Sequence, residues 1–210
     1  MSLELVIGNK NYSSWSLRGW LLVELSGAAY QETLVPLFRA DTHARLLEHS
    51  PTAKVPVLKT EDAGVIWDSL AIAEYLAERF PDVALWPRDV AARAMARSVC
   101  AEMHSGFGAL RSHMPMDMQR HAPLASVADD VKHDIQRIVA LWAGCRERFG
   151  QGGPYLFGQV SIADAYFAPV ASRLRSYGVQ LPADAAAYVD TIFQWPAFQR
   201  WLQAALEEKT

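Results

Sequence analysis

Three serines stand close together near the amino end, in the run Asn11-Tyr12-Ser13-Ser14-Trp15-Ser16-Leu17-Arg18. They fall between an apolar run and the first helix-patterned stretch. Hydroxyls at a helix start sit among backbone N–H groups that have no partner within the helix, where the helix dipole also favours negative charge. Such a place suits an anion. A serine nucleophile needs a neighbouring base, and this loop holds no His or Asp. A serine here can instead donate a hydrogen bond to a bound thiolate. The plainer reading is that Ser14 or Ser16 only caps the helix.

Two further groups of residues carry similar double readings. In Lys54-Val55-Pro56-Val57-Leu58 a proline opens a β-type run. A cis bond before Pro56 would turn the Val55 backbone outward, where an extended peptide can pair with it as an added strand. The alternative is a trans proline on an edge strand. Asp68-Ser69 opens a helix-patterned run. Ser69 can give its hydroxyl and N–H to a carboxylate, and Asp68 can pair with an ammonium, so the two can hold both charges of an α-amino-acid end. Otherwise Asp68 is a helix cap.

The elements that position these residues divide the chain in two. Leu3-Glu4-Leu5-Val6-Ile7 reads as a buried strand, Ser16 to Gly27 as a helix, Gln31 to Leu37 as a strand and Thr42 to Leu47 as a short helix. Val55 to Leu58 and Val65 to Trp67 are strands around the turn Asp62-Ala63-Gly64, and Asp68 to Phe80 is a helix stopped by Pro81. A helical crossover joins parallel strands and a short turn joins antiparallel ones, so the expected sheet has four strands of mixed direction. After residue 87 only helical periodicity remains. A long helix is expected from Val90 to Met114, with Met103, Phe107, Leu110 and Met114 in one stripe. Val131, Ile135, Ile138, Trp142, Cys145 and Phe149 mark the next helix. Ser161 to Arg175 is apolar on most faces and is expected to be buried, with shorter helices at 183–193 and 196–206. The expected domains are 1–80 and 88–210, with 81–87 as the linker.

Composition narrows the function classes. With 20 basic and 23 acidic residues, the net charge of -3 and the dispersed arginines argue against nucleic acid as a partner. The apolar runs are too short for a membrane span. Two cysteines, Cys100 and Cys145, and an N-terminus without a basic-then-apolar leader point to a reducing, cytoplasmic setting. No histidine spacing suits zinc: His113 and His121 are separated by Pro115, so no metal is expected.

In their order and spacing, the serine loop, Val55-Pro56 and Asp68-Ser69 resemble the glutathione S-transferase family over essentially the whole chain. Ser161-Ile162-Ala163-Asp164 is similar to that family's helix-capping box, a fold element in which the Asp164 side chain reaches back to the Ser161 N–H. The resemblance implies a thioredoxin-like domain followed by an all-helical one, with glutathione as co-substrate and a homodimer. Ser13-Ser14-Trp15-Ser16-Leu17-Arg18 most resembles the serine motif of the zeta-like class, with Trp15 where that class has cysteine. On that match Ser13 is the catalytic hydroxyl, with Ser14 and Ser16 as alternatives and Tyr12 as a weaker one. Val55 and Pro56 meet the cysteinyl part of glutathione, Asp68 and Ser69 the γ-glutamyl end, and Lys54 the glycyl carboxylate. Met103, His104, Phe107, Arg111 and Met114 are expected at a second-substrate pocket, or else in ordinary core packing. The implied activity is attack of the activated thiol on small electrophiles, by conjugation or isomerisation, as in detoxification. A maleylacetoacetate-type isomerase, a peroxidase or dehalogenase, and a non-catalytic binding protein of the same fold are the alternatives.

Overall fold

The computed structural model describes residues 3–209; the outermost residues of the expected limits 1 and 210 lie outside the described residues. The elements are β1 (Leu3–Ile7), α1 (Ser14–Ser26), β2 (Tyr30–Leu34), α2 (Thr42–Leu47), β3 (Val57–Thr60), β4 (Gly64–Trp67) and α3 (Ser69–Arg79), then α4 (Val90–Ser105), α5 (Gly108–His113), α6 (Asp129–Phe149), α7 (Ile162–Ser176), α8 (Ala183–Gln194) and α9 (Pro196–Glu207). A single 3-10 turn, Pro81–Val83, lies between α3 and α4.

The sheet has the order β2-β1-β3-β4. β1 runs parallel to β2 and antiparallel to β3, and β3 runs antiparallel to β4. This is the expected mixed four-stranded sheet, of thioredoxin-like form, with a helical remainder. α1 and α3 cover one face, and a second small core of Val6, Val35, Leu46 and Val57 lies on the other. α7 is buried at almost every position and packs on α1 and α4, so the main core runs without a break from the sheet unit into the helical unit. Asp164 closes the start of α7. Its Oδ2 accepts from the Ser161 N–H at 2.8 Å, and its Oδ1 accepts from Tyr188 Oη at 3.0 Å. Burial pushes its carboxyl up to about 6 against these bonds.

The structure departs from the sequence expectations at several ends, each for a local reason. α1 begins at Ser14 instead of Ser16, with Ser13 as its cap. β2 stops at Leu34, short of Leu37; Pro36 has no N–H to continue a ladder. β3 spans Val57–Thr60, not 55–58, because Pro56 likewise cannot donate. Asp68 is the cap of α3 and lies outside the helix.

The largest departure is the expected helix from Val90 to Met114. It breaks after Ser105, and Phe107 takes a left-handed φ of 61° before α5 starts. Gly106 permits the break: a Cβ there would lie 2.8 Å from the Glu102 carbonyl oxygen. Arg111 then turns back over the end of α4. Its Nε donates to the Gly106 carbonyl at 3.0 Å, and Nη2 donates to those of Met103 and His104. The carbonyls left open at the helix end are thereby satisfied by a cation, as the helix dipole favours.

Candidate active site

The start of α1 is fixed by a chain of hydroxyls. Ser13 Oγ accepts from the Ser16 N–H at 3.2 Å and donates to Ser16 Oγ at 2.7 Å. Ser16 Oγ in turn accepts from the Gly8 N–H at the end of β1, at 2.9 Å. Ser13 is therefore both the helix cap and one end of a relay tied to the sheet. Ser14 Oγ accepts from Arg173 Nη2 at 3.2 Å.

The Val55–Pro56 bond is cis. Pro56 packs directly on α1, where only a glycine leaves room: a Cβ on Gly19 would lie 2.6 Å from Pro56 Cβ. Among the described residues the Val55 backbone has no hydrogen-bond partner. At the start of α3, Asp68 has φ 75° and ψ 130°, a conformation L-residues rarely adopt and one that costs on the order of 1–3 kcal/mol. Two contacts hold it there. Oδ1 accepts from the Leu70 N–H at 2.8 Å, and Oδ2 lies 3.2 Å from His104 Nε2. Ser69 is buried. Its Oγ accepts from Tyr166 Oη at 2.9 Å, which leaves the Ser69 proton free to donate. Burial pushes the His104 imidazole below its ordinary range, more than Asp68 raises it, so the ring is neutral at neutral pH.

These pieces line one cavity of about 850 Å³. Its walls are the 12–15 loop, the 52–56 segment, the 67–69 turn, and His104 and Ser105 at the end of α4, with Leu37, Phe38 and Leu46 closing another side. Its size lies within the usual range for small-molecule pockets. Among the described residues, no group of three or more His, Cys, Asp or Glu is placed to hold a metal.

Of the residues singled out in the sequence, Ser13, Ser14, Lys54, Val55, Pro56, Asp68, Ser69 and His104 lie on this wall. Ser16 lies behind it, fully buried. Met103, Phe107 and Met114 are not pocket residues. They are buried in the main core on both sides of the break at Gly106, the ordinary packing that was the other reading of the stripe. Arg111 is off the cavity wall as well; it caps α4 and lies over the Trp15 ring, 4.9 Å from the centroid. Three participants went unassigned: Phe38, 85% exposed at the rim, Tyr166 behind Ser69, and Arg173 behind Ser14. Arg173 stands in α7 among Ser172, Arg175 and Ser176, so its residue type alone does not set it apart.

Residues 12–79 match the family model for the glutathione S-transferase N-terminal domain, and residues 118–204 match that for the C-terminal domain. The chain belongs to the glutathione S-transferase family. A probable maleylacetoacetate isomerase of Caenorhabditis elegans is 38% identical over 99 residues, a match that spans 47% of this chain and 45% of that protein. The chain thus matches about half the length of that relative. A maleylacetoacetate isomerase of Pseudomonas aeruginosa is 26% identical over 199 residues, covering 90% of this chain and 84% of that one. Among solved structures, a glutathione transferase homolog from Burkholderia with bound glutathione superposes with a TM-score of 0.74 at 22% identity, covering all of both chains. A diazinon-metabolizing glutathione S-transferase of the silkworm Bombyx mori has a TM-score of 0.75 at 17% identity, covering 99% and 98% of the two chains. At these identities the two structures establish the fold of this member of the family. Among the described residues no helix is long and apolar enough to cross a membrane.

Proposed function

We propose that the protein is a glutathione transferase that ionises the glutathione thiol for attack on small electrophiles, with Ser13 as the donor to the sulfur. The observation that carries this reading is the Ser13–Ser16–Gly8 relay at the cavity end of α1. Ser16 Oγ accepts a hydrogen bond from the Gly8 N–H and keeps its own hydroxyl proton to donate. When Ser13 turns its hydroxyl toward a thiolate, Ser16 can donate back to Ser13 Oγ, so no hydrogen bond is lost.

The rest of the wall is complementary to a tripeptide. The unpaired Val55 backbone offers a donor and an acceptor to the cysteinyl unit, in the manner of an added strand. The Ser69 proton and the N–H groups at the start of α3 suit the γ-glutamyl carboxylate, and the exposed Asp68 carboxylate suits the ammonium beside it. Lys54, at the edge, suits the glycyl carboxylate. Residues 1–80 are the glutathione-binding unit in this reading and 88–210 the helical unit, in a cytoplasmic homodimer. The electrophile sits in the remaining volume between Tyr12, Trp15, Phe38 and His104.

Ionisation is the step that the site must supply. A free thiol with a pKa near ~8.5 is only a few per cent thiolate at neutral pH. A two-unit fall needs about 2.7 kcal/mol of preference for the anion. A hydrogen bond to a charged acceptor contributes about 1.5–3 kcal/mol, and the α1 terminus adds about 0.3–1 kcal/mol. With the sulfur ionised, its electron pair forms the carbon–sulfur bond. A leaving group then departs in conjugation, or the sulfur is expelled again after bond rotation in isomerisation. The names of the two relatives favour isomerisation as the second reading. Turnover of a panel of electrophiles, including a cis-alkene diacid, with and without glutathione tests both. Absence of glutathione-dependent turnover across the panel overturns the enzyme reading in favour of a binding protein.

A further inference from the structure

Three guanidinium groups converge behind the serine loop. Arg18 of α1 is fully buried, its guanidinium carbon 4.6 Å from the Trp15 ring centroid and 5.0 Å from that of Tyr166. Arg111 of α5 lies over the same indole at 4.9 Å. Arg173 of α7 is buried and donates to Ser14 Oγ.

Their remaining hydrogen bonds go to backbone carbonyls. Arg18 Nε donates to the Tyr166 carbonyl at 3.2 Å, Arg173 Nε to that of Met114 at 2.8 Å, and Arg111 to the end of α4. A carbonyl satisfies an N–H but leaves the net charge whole. Among the described residues no Asp or Glu forms an ion pair with any of the three. Among the described residues, Arg18 Nη1 and Nη2 and Arg173 Nη1 have no hydrogen-bond partner. Tyr166, Tyr177, Cys100 and His104 are the other ionisable groups that face the cluster. Asp134 is a carboxylate that acts on Arg111, and its Oδ2 already accepts the Leu110 N–H; Asp68 acts on His104 and Tyr166. Burial and mutual repulsion push Arg18 down to about 9 and Arg173 to about 10, so both are charged at neutral pH.

Buried cations without counter-ions are costly, and a fold ordinarily pairs them. These three face Ser14 and Trp15, and both of those residues line the cavity. We propose that Arg18, Arg111 and Arg173 form a buried cationic backing that holds the glutathione sulfur in its ionised form, with Trp15 and Ser14 between the charges and the cavity. They touch no reacting atom, so they are positioning residues that act by field. The inference rests on the thiol-activation reading above and adds a second, charge-based source of activation to the Ser13 hydrogen bond. Taken at roughly 10 Å and an effective dielectric constant of about 20, one such charge is worth about 1.7 kcal/mol, so its loss raises the bound thiol's pKa by about one.

The test is an ultraviolet titration of the thiolate of bound glutathione in the parent protein, Arg173→Gln, Arg111→Gln and the charge-keeping Arg173→Lys. Binding of S-methylglutathione, which has no ionisable sulfur, is measured alongside. The expected result is a pKa higher by about one in each Gln variant, which makes the thiolate about tenfold scarcer below that pKa, and a value near the parent's in Arg173→Lys. S-methylglutathione affinity stays within a few-fold throughout. If the Gln variants hold S-methylglutathione and ionise the thiol as the parent does, the cluster is structural and the inference falls alone. If the parent itself leaves the thiol as acidic as in water, the thiol-activation reading falls and takes the cluster's role with it. Arg111 is half-buried, so Arg111→Gln decides the matter if Arg173→Gln does not fold.

Discussion

Ser13→Ala removes one hydroxyl from the cavity wall and leaves the charges behind it in place. Its effect can be worked from the relay. Ser13 Oγ is 2.7 Å from Ser16 Oγ, and Ser16 Oγ is 2.9 Å from the Gly8 nitrogen. The Ser13–Ser16 contact survives reversal of its proton, so the bond to sulfur is a net gain to the ionised state. That gain of about 1.5–3 kcal/mol corresponds to about 1–2 units of thiol pKa. The bound thiol of Ser13→Ala should titrate higher by that amount, read from the ultraviolet thiolate band. Near neutral pH, kcat/KM should fall about 10- to 100-fold and recover as the pH is raised past the variant's thiol pKa. Loss of the cap costs a further ~1 kcal/mol of stability, which thermal unfolding measures separately. Ser16→Ala should move the titration less and destabilise more, since the buried Gly8 N–H loses its partner at a cost of about 1–3 kcal/mol. An unchanged thiol pKa in Ser13→Ala, with glutathione still bound, refutes the reasoning. The hydroxyl would then be only a helix cap.

Three other substitutions probe the frame around that hydroxyl. Ser69→Ala removes the free proton at the start of α3, and calorimetry should show glutathione bound roughly 10- to 100-fold more weakly, from a charge-assisted bond of about 1.5–3 kcal/mol; equal affinity would remove Ser69 from the site. Gly19→Ala places a Cβ 2.6 Å from Pro56 Cβ, so the 52–56 segment must shift away from α1. Stability should drop by about 1–3 kcal/mol and glutathione affinity with it, whereas a variant as stable and as tight as the parent would show that the segment is not seated by this contact. Asp164 has a native carboxyl raised to about 6 from an ordinary 3.8, so the native state holds its proton where the unfolded chain has released it. Its contribution is fully present below the unfolded value and fades as the pH rises through the native one. The parent should therefore lose stability between about pH 4 and pH 6, and Asp164→Asn should flatten that part of the curve; the same slope in both proteins would assign it to other groups.

The parts of the fold that could be read from the chain are those whose signal is local. The β1 run, the α6 stripe from Val131 to Phe149 and the box at Ser161 and Asp164 each need only neighbours in sequence to be recognised. The strand ends were misplaced by a few residues at Pro36 and Pro56, where a missing N–H outweighed β-type composition. The stripe from Met103 to Met114 carried two readings, pocket wall and core packing. Its period continues across Gly106, so periodicity joins two helices that the backbone separates, and Met103, Phe107 and Met114 follow the packing reading. The loop serines and Asp68-Ser69 were recognisable because each sits at a helix start, where chemistry and local structure share residues. Tyr166 and Arg173 were not, since their partners Ser69 and Ser14 are 97 and 159 positions away.

Trp15 joins these observations. The zeta-like motif that the loop resembles has cysteine at its position, and no cysteine is among the described residues that line the cavity. The indole that stands there has the Arg18 guanidinium 4.6 Å and the Arg111 guanidinium 4.9 Å from its ring centroid, with the His104 ring edge-on at 5.1 Å. An aromatic face is one of the few neutral groups that attract a cation, so Trp15 lets two guanidinium groups approach one another without a carboxylate between them. A carboxylate in that place would cancel their field before it reached the cavity. The indole at this position therefore serves the inferred cationic backing: it stands beside Arg18 and Arg111, while Arg173 meets Ser14.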